Sequence, residues 1–256
     1  MEIATKYVNK LPVKIYTSRE KMGYAAAQDA ANRINQIINT KGEANVVFAA
    51  APSQNELIAH LLTMDIDWSK VRGFHQDEYV GISSTEPAGF GNFLDRAIFK
   101  KVNFKEIHYM LCDVDQSEEK CIAYTELMKQ HPIDLIFLGV GENGHLAFND
   151  PSVADFNDPK SVKIVELDDV CRQQQVNDGC FATIDDVPKQ AMTLTMSCIM
   201  NIPEAICVVP GPRKANAIFN AVAGPVAVSC PASILRNHAN AVLYLDVDSA
   251  ALILDK

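Results

Sequence analysis

Short apolar runs recur along the chain, separated by longer stretches in which apolar residues appear every three or four positions. The short runs have the length of buried β-strands, and the longer stretches have the period of amphipathic helices. The most apolar run, at 133–138, leads into a loop that carries three glycines. The predicted strands are 13–16, 45–50, 71–74, 107–111, 133–138, 162–165, 193–196, 205–209 and 241–245.

Helix signals lie between these strands. Ser18 is a typical N-cap residue and Gly42 a typical C-cap residue, so the pattern between them predicts one long helix. Ser53 and Glu56 form a capping-box pattern, which predicts that a helix begins there. Pro212 stands where helices often begin. The predicted helical segments are 22–37, 53–64, 90–99, 118–128, 168–176, 212–222 and the single turn 231–235.

Alternation of short strands with helices predicts an α/β fold, with a mostly parallel sheet and helices on both faces. The sequence contains no internal repeat, low-complexity tract or linker, so we expect one domain over residues 1–256. Ligands of such sheets bind beyond the carboxyl ends of the strands. Polar or glycine-rich loops follow predicted strands at 51–54, 75–79, 139–151 and 211–214.

Composition and charge argue against some classes of binding partner. The chain is 48% hydrophobic and 21% charged, with a net charge of −9. An acidic protein of this kind is a poor match for nucleic acid or an anionic membrane, so neither is predicted as a partner. No run of 18 apolar residues is present, and the first residues lack a signal-peptide pattern, which predicts a cytoplasmic protein.

Cysteine usage fits that compartment. The number of cysteines is odd, none forms a C-x-x-C pair, and several have apolar neighbours. We therefore expect reduced, mostly buried thiols, with neither disulfides nor a metal site. The seven are Cys112, Cys121, Cys171, Cys180, Cys198, Cys207 and Cys230.

The loop at 139–151 is the most informative segment. Its first six residues match G-x-G-x-x-G, but a dinucleotide fingerprint must open a helix, and Pro151 follows closely with no amphipathic stretch between. His145 and Asp150 lie on the same loop. The histidine is either satisfied by backbone groups or is a catalytic imidazole whose tautomer Asp150 fixes.

Two further patterns admit more than one interpretation. Asp77 and Glu78 follow a strand, either as solvated or capping acids or with one carboxylate in the crevice as a proton acceptor. Arg213 and Lys214 oppose the dipole of the helix that begins beside them, which favours an anion there over two solvated side chains. The Ser53 hydroxyl can cap its own helix or bind a phosphate.

Four segments resemble the glucosamine-6-phosphate deaminase family. F-H-Q-D-E-Y-V-G at 74–81 is similar to that family's F-N-M-D-E-Y-V-G, and L-G-V-G-E-N-G-H-L-A-F-N-D-P at 138–151 is similar to its L-G-[IV]-G-x-[DN]-G-H-[IL]-A-F-N-[ED]-P. V-P-K-Q-A-M-T-L-T at 187–195 and P-A-S-I-L at 231–235 match later segments in the same order.

The resemblance implies a modified Rossmann-like domain without a metal or redox cofactor, which converts glucosamine 6-phosphate and water to fructose 6-phosphate and ammonia. It implies that His145 opens the sugar ring with support from Asn143 and Asp150, and that Asp77 moves a proton from C2 to C1. It also implies a substrate- and phosphate-binding set, which comprises Ala51, Ser53, Gly144, Arg172 and Lys214.

The sequence departs from the family pattern at several of these positions. Asn143 stands where aspartate is common, and Asp150 replaces a longer glutamate. The loop at 49–53 is A-A-A-P-S, where the family has glycine and threonine, so its backbone has less freedom and one N–H fewer. The family's phosphate-binding arginine falls at Asn177, whereas Arg172 aligns with an earlier arginine.

These departures keep alternatives in view. The substrate could be the galactosamine epimer, and the related 6-phosphogluconolactonases share the G-H-x-A core. A non-catalytic sensor of sugar phosphates is a third alternative. The F-x-x-D-E-Y segment weighs against the lactonase, and retention of Asp77 and His145 weighs against the sensor. The sequence leaves a homo-oligomer and allosteric regulation open.

Overall fold

The computed structural model describes residues 1–111 and 113–254, and its centre is an eight-stranded sheet. The strand order is β1-β2-β11-β10-β7-β3-β4-β6, and all neighbours are parallel except β1 and β2. The strands are β1 (Glu2–Val8), β2 (Leu11–Tyr16), β3 (Ala44–Phe48), β4 (Val71–His75), β6 (Glu106–His108), β7 (Leu135–Leu138), β10 (Glu204–Val209) and β11 (Ala241–Asp246).

Helices cover both faces of this sheet, as predicted. They are α1 (Arg19–Lys41), α2 (Asn55–Leu61), α3 (Phe90–Leu94, continued by a wider π-helical turn over Asp95–Phe99), α4 (Ser117–Gln130), α5 (Asp169–Asn177), α6 (Met196–Asn201) and α7 (Ala215–Ala223). Short 3₁₀ turns lead into α2 at Pro52–Gln54 and into α7 at Pro212–Lys214, and another spans Pro231–Asn237.

The sheet is buried from both sides. In β7, Ile136 and Leu138 pack into one apolar cluster, while Leu135 and Phe137 pack into the other. Successive strand residues point to opposite faces, so each central strand must be apolar throughout. This explains why the strands appear in the sequence as continuous apolar runs without alternation, and it confirms the predicted fold class.

The long helix α1 follows its sequence signals closely. The Ser18 hydroxyl accepts a hydrogen bond from the Lys21 N–H at 3.3 Å. Gly42 ends the helix at φ +87°, and its N–H donates to the Ile38 carbonyl at 2.8 Å. A left-handed residue at this position favours glycine because other side chains crowd the backbone there.

A second, antiparallel sheet was not predicted. It has the order β5-β9-β8 and consists of β5 (Asp77–Tyr79), β9 (Gln190–Leu194) and β8 (Val162–Glu166). The predicted strand at 193–196 is wrong in its bounds, because Thr195 leaves the strand and its side chain caps α6 by accepting from the Cys198 N–H. The helix α6 was also missed.

The start of α2 and the N-terminal strand differ from the sequence predictions. The Ser53 capping box is wrong: α2 begins at Asn55 without a side-chain cap, and Glu56 pairs with Arg19 at 2.6 Å. The N-terminal strand β1 was missed; it is exposed along most of its length and carries little apolar signal. No described helix is long and apolar enough to cross a membrane.

The thiols match the expectation for the described cysteines. The described cysteines are thiols, four of them buried and two half-buried: Cys121, Cys171, Cys207 and Cys230, and Cys180 and Cys198. Cys112 lies outside the described residues. Cys207 is fully buried in the centre of the large sheet. Burial of this kind makes a thiol behave as a small apolar side chain.

Candidate functional site

A cavity of about 610 Å³ opens beyond the carboxyl ends of β3, β4, β7 and β10. The four loops singled out from the sequence all contribute to its wall. Of the predicted site residues, Ala51, Ser53, Asp77, His145 and Lys214 line it directly. Parallel strands end at a common edge, so loops distant in sequence meet there.

Asp77 is delivered by the junction of the two sheets. It is the first residue of β5, separated from β4 by Gln76 alone, and it pairs across the small sheet with Thr193. The carboxyl is 5% exposed and faces the cavity. Burial, reinforced by the neighbouring Glu78, raises the pKa of Asp77 well above its ordinary value.

Glu78 binds backbone N–H groups at the start of a helix. Its carboxylate accepts hydrogen bonds from the backbone N–H groups of Tyr79, Phe90 and Gly91 at 2.9–3.1 Å, which places it at the start of α3. Burial raises the pKa of Glu78, while these three N–H groups act in the opposite direction. Of the two adjacent acids, Asp77 is therefore the one that lines the cavity, and Glu78 holds a helix.

The same small sheet also positions the loop that carries His145. The Thr193 hydroxyl, opposite Asp77, accepts from the Phe148 N–H at 3.1 Å. The Asn149 side chain donates to the Leu194 carbonyl at 2.8 Å. These bonds fix the loop against the strand that pairs with β5, so the histidine and the aspartate reach one cavity through a common support.

His145 and Asp150 form a close pair. Nδ1 of His145 lies 2.8 Å from Oδ1 of Asp150, whose carboxylate is fully buried. Burial favours the neutral acid, but contacts with His145 and Asn143 outweigh it and lower the pKa of Asp150. The Nδ1–Oδ1 contact is short but falls outside hydrogen-bond geometry. An ionised Asp150 at this distance favours the tautomer with its proton on Nδ1, which leaves Nε2 as the ring nitrogen available for proton transfer.

Asn143 ties this pair together. Its amide nitrogen donates to Asp150 Oδ1 at 2.9 Å and to Asp168 Oδ2 at 3.3 Å, and its amide oxygen accepts from the His145 N–H at 3.0 Å. Sequence analysis missed Asp168, which also caps α5 through the Cys171 N–H. The N-cap signal was visible, but its contact with the histidine loop depends on the tertiary fold.

Two glycines of the loop have separate structural reasons. At Gly141 an added Cβ would lie only 2.2–2.4 Å from the His145 ring, so the imidazole packs directly on bare backbone. Gly144 has φ +87°, and a Cβ there would meet Cys230 Sγ at 2.7 Å. Gly144 therefore fits the loop against the segment after α7, and it does not line the cavity.

Positive side chains surround the mouth of the cavity. Arg19, Arg96, Arg213 and Lys214 line it, and sequence analysis identified only the last two. Arg213 pairs with Asp178 at 2.6 Å and Glu142 at 3.3 Å, while burial lowers the pKa of Lys214 against the pull of the same two carboxylates. Such a cationic rim favours an anionic group on the ligand.

Arg19 supports the loop at 51–54 from below. Its guanidinium donates to the Pro52 carbonyl and pairs with Glu56. The Ser53 hydroxyl sits close to Gly139, where an added Cβ would lie 3.0 Å away, and it accepts from the Gln54 side chain at 3.1 Å. Ser53 thus belongs to the cavity wall, and its hydroxyl does not cap the helix that follows.

The structure places Arg172 outside the cavity, in contrast to its predicted contact with the substrate. The side chain is buried on α5 and donates to the carbonyls of Ile184 at 2.6 Å and Val187 at 3.2 Å. It also pairs with Asp169 at 3.2 Å. The helix turns Gln174 and Gln175 toward the cavity, so the arginine one turn earlier holds the following loop.

We expect Lys214→Met and Arg172→Met to have separable effects. Loss of the Lys214 ammonium should raise KM about tenfold or more for an anionic ligand, with little change in Tm, because one charge-assisted bond is removed. Loss of Arg172 should lower the free energy of unfolding by about 2–3 kcal/mol, because two buried carbonyls lose their donors.

Steady-state kinetics and thermal unfolding of the two variants test this assignment. A large rise in KM with unchanged Tm for Arg172→Met would return that residue to the binding site.

Known proteins resemble this chain in sequence and in fold. The sequence model of the family described as glucosamine-6-phosphate isomerases/6-phosphogluconolactonase matches residues 17–244. The chain belongs to this family. Membership was predicted from the motifs at 74–81 and 138–151, and the match confirms it.

Individual relatives agree with the family assignment. The Listeria welshimeri protein named glucosamine-6-phosphate deaminase is 34% identical over 242 residues, which cover 94% of this chain and all of the relative. The Streptococcus pneumoniae protein of the same name is 32% identical over 212 residues, which cover 83% of this chain and 89% of the relative.

Solved structures of both branches of the family share the fold. A monomeric glucosamine-6-phosphate deaminase superposes with a TM-score of 0.85 at 25% identity, over 94% of this chain and 99% of that one. The 6-phosphogluconolactonase from Trypanosoma brucei has a TM-score of 0.80 at 14% identity, over 98% of this chain and all of that one. The lactonase comparison concerns fold alone.

Proposed function

We propose that this chain is a glucosamine-6-phosphate deaminase, which converts glucosamine 6-phosphate and water to fructose 6-phosphate and ammonia. The observation that carries the proposal is the pairing of a buried Asp77 with the His145–Asp150 couple in one cavity. Ring opening needs one group that shuttles a proton between sugar oxygens. Isomerisation needs a second group that moves a proton between adjacent carbons. The cavity supplies one of each.

Ring opening is assigned to His145. Nδ1 is held by Asp150, so Nε2 takes the proton of the C1 hydroxyl and delivers it to the ring oxygen as the C1–O5 bond breaks. Asp150 favours the imidazolium that forms between these two transfers. Asn143 keeps both groups in register through three hydrogen bonds, and Asp168 adds a second carboxylate behind the amide.

Proton transfer between carbons is assigned to Asp77. In the open-chain form, its carboxylate removes the C2 proton, and the electrons of that C–H bond form the C1=C2 double bond of an enol amine. The π electrons of the C1 carbonyl move to its oxygen, which becomes a hydroxyl by taking a proton from the substrate's own ammonium group. The same carboxyl then returns the proton to C1, which leaves an imine at C2. Water adds to the imine and ammonia leaves. A raised pKa makes Asp77 a stronger base than an ordinary carboxylate.

The phosphate end is assigned to Lys214, Ser53 and the backbone of the loop at Ala51. These groups lie on the loops after β3 and β10, whereas Asp77 and His145 follow β4 and β7. Arg19 and Arg213 add positive charge to the same cavity. A phosphate held at a fixed point orients the sugar carbons toward the two catalytic groups. Ser53 and Lys214 lie outside the motifs at 74–81 and 138–151, so those two motifs alone do not specify the phosphate site.

The broader assignments rest on this proposal. We propose a single domain over residues 1–256, consistent with a family match that spans 17–244. The ligand is a small amino-sugar phosphate that carries its own negative charge. A cytoplasmic location and a homo-oligomer remain proposals, and the monomeric deaminase among the structural relatives indicates that the fold can act as one chain.

Turnover on a panel of substrates tests the function. Glucosamine 6-phosphate should give ammonia and fructose 6-phosphate in equal amounts. In D₂O, deuterium should enter C1 to the extent that the proton on Asp77 exchanges with solvent before it is returned. The galactosamine epimer serves as the comparison for substrate choice. Faster hydrolysis of 6-phosphogluconolactone, or stabilisation by ligands without turnover, would replace the proposal with a lactonase or a sensor.

A further inference from the structure

Two groups of three metal-ligating side chains occur among the described residues. One consists of His145, Asp150 and Cys171 and belongs to the catalytic cavity. The other consists of Glu106, His108 and His131, which we call the edge cluster. The edge cluster lies where the terminal strand β6 of the large sheet meets the end of α4, and none of its members lines the cavity.

The three side chains of the edge cluster converge. Their ligand atoms all lie within 4.8 Å of one another. His108 Nε2 is 3.2 Å from a carboxylate oxygen of Glu106, and the His108 and His131 rings stack with centroids 5.9 Å apart and planes 16° apart. Two-residue spacing puts Glu106 and His108 on one face of the strand, and His131 comes from the first residue after α4.

Their hydrogen bonding leaves a nitrogen available. His108 Nε2 is buried and has no hydrogen-bond partner of acceptable geometry among the described residues, although the backbone and Phe74 hold the rest of the residue in place. A buried, unpartnered imidazole nitrogen is unfavourable in a folded protein, and a metal ion is one way to satisfy it.

We propose that the edge cluster is a binding site for a first-row divalent transition metal, of which Zn²⁺ is the natural probe. Two imidazoles and one carboxylate are the ligand types that such ions prefer. At Zn–ligand distances of about 2.0–2.2 Å, tetrahedral ligands lie roughly 3.3 Å apart. The Glu106–His108 distance already meets this spacing, and rotation of Glu106 and His131, which are both accessible, closes the rest.

The surrounding charges set the strength of the site. Arg72 donates to Glu106 at 3.1 Å and also pairs with Glu43, and Lys105 pairs with Glu43 at 2.6 Å. These two cations and two anions balance, so long-range electrostatic attraction adds little to the affinity of the site for a metal ion. The same oxygen of Glu106, Oε2, contacts Arg72 and lies 3.2 Å from His108 Nε2. It would ligate the metal with one lone pair and accept from Arg72 with the other, and Arg72 would orient it as outer-shell contacts do in metal sites.

A metal here would join the end of α4 to the edge of the sheet. The same helix carries Tyr124, whose hydroxyl accepts from the His75 N–H at 3.0 Å and donates to the His75 carbonyl at 2.8 Å. His75 ends β4, two residues before Asp77. The edge cluster thus secures the helix that holds the strand leading to the catalytic base, which assigns the metal a structural role.

Thermal unfolding of the chelator-treated chain with added Zn²⁺ tests the proposal, together with the number of ions bound at equilibrium dialysis. A hundredfold excess of Zn²⁺ over its Kd should raise Tm by roughly 5 °C, with one ion per chain from this site. His131→Gln should remove that shift while leaving the metal-free Tm unchanged, because the side chain lies at a helix end.

Two control variants separate this site from other sources of binding. His60→Gln removes a surface histidine that pairs with Glu20 at 2.8 Å and has no third ligand within the part of the chain that the structure describes. Cys171→Ser removes one member of the group formed with His145 and Asp150. Both should keep the full Zn²⁺ shift. A shift that survives His131→Gln, a shift lost in Cys171→Ser, or no binding at all would overturn the proposal.

Discussion

Asp77→Asn is expected to reduce kcat by about 10²–10⁴-fold, because asparagine keeps the shape of the side chain but cannot accept the C2 proton. Ring opening by His145 should continue, so the variant should still bind glucosamine 6-phosphate with a KM close to the parent value. Release of ammonia and uptake of solvent deuterium at C1 should fall together, since both depend on one proton transfer.

The matched control is Glu78→Gln. Glu78 is equally buried and next in sequence, but its carboxylate is committed to three backbone N–H groups at the start of α3. We expect this variant to lose stability while retaining turnover within about tenfold of the parent. If Glu78→Gln were inactive and Asp77→Asn active, the assignment of the base would be reversed.

Asp77→Asn should also change stability in a pH-dependent way. Because burial raises the folded-state pKa of Asp77, folding favours the protonated form, and this contribution is complete below the unfolded pKa of about 4. It is lost as pH rises toward the folded pKa. The variant has no such loss, so its Tm should exceed that of the parent at pH 7 and approach it near pH 4.

The activity profile should follow from the same pKa. Asp77 must be ionised to act as the base, so kcat/KM should rise with pH through a group whose pKa is above that of an ordinary aspartate. Asp77→Asn should remove this acid limb from its residual rate. An acid limb that persists unchanged in the variant would assign it to another group.

The sequence was sufficient for the central strands of the large sheet, because parallel central strands are apolar on both faces, but not for its exposed edge strand β1. Strands β3, β7, β10 and β11 appear as continuous apolar runs, and their carboxyl ends necessarily share an edge. From the sequence alone, Asp77, His145 and Lys214 are therefore expected at one crevice. Family resemblance then supplied the identity of the substrate, which residue types alone could not.

The small sheet could not be inferred in the same way. β5 has only three residues, Asp77 to Tyr79, and its pairing with β9 spans more than a hundred positions. Local pattern carries no information about such a partner. The sheet nevertheless decides the site, because Thr193 opposite Asp77 is also the residue that holds Phe148 on the histidine loop.

Arg172 illustrates a different limit. Alignment placed an arginine near the phosphate, but helix α5 turns that position toward Ile184 and Val187, where it holds a loop. The rotation of a helix decides whether a given side chain faces a cavity or a neighbouring segment of the same chain. Conversely, Arg19 reaches the cavity from the first turn of α1, a position that appears in the sequence only as the residue after an N-cap.

The role of Asn143 depends on Asp168, a residue outside the motif at 138–151. In sequence it appeared as a neutral replacement for a charged supporter of His145. In the fold its amide links Asp150 to Asp168, so the histidine has one carboxylate in contact and a second behind it. The negative charge that the position lacks is thus partly restored by the cap of α5.

Gly141→Ala is expected to lower kcat about 100-fold while leaving KM nearly unchanged. The new Cβ would lie 2.2 Å from His145 Cε1 and 2.4 Å from both ring nitrogens, so the imidazole must move away from Asp150. Displacement of a catalytic group by about 1 Å can reduce the rate by this factor without loss of substrate contacts. Steady-state kinetics with glucosamine 6-phosphate give the two constants.

A second ligand separates this effect from general damage to the cavity. An acyclic amino-alditol 6-phosphate needs no ring opening, so it should inhibit Gly141→Ala and the parent with similar affinity. Gly42→Ala is the control for backbone strain: Gly42 has φ +87° and no neighbour within 4 Å of an added Cβ, and it lies far along the chain from the histidine loop. That variant should lose about 1 kcal/mol of stability and keep its kcat. Normal kcat in Gly141→Ala would show that the position of the His145 ring does not limit turnover.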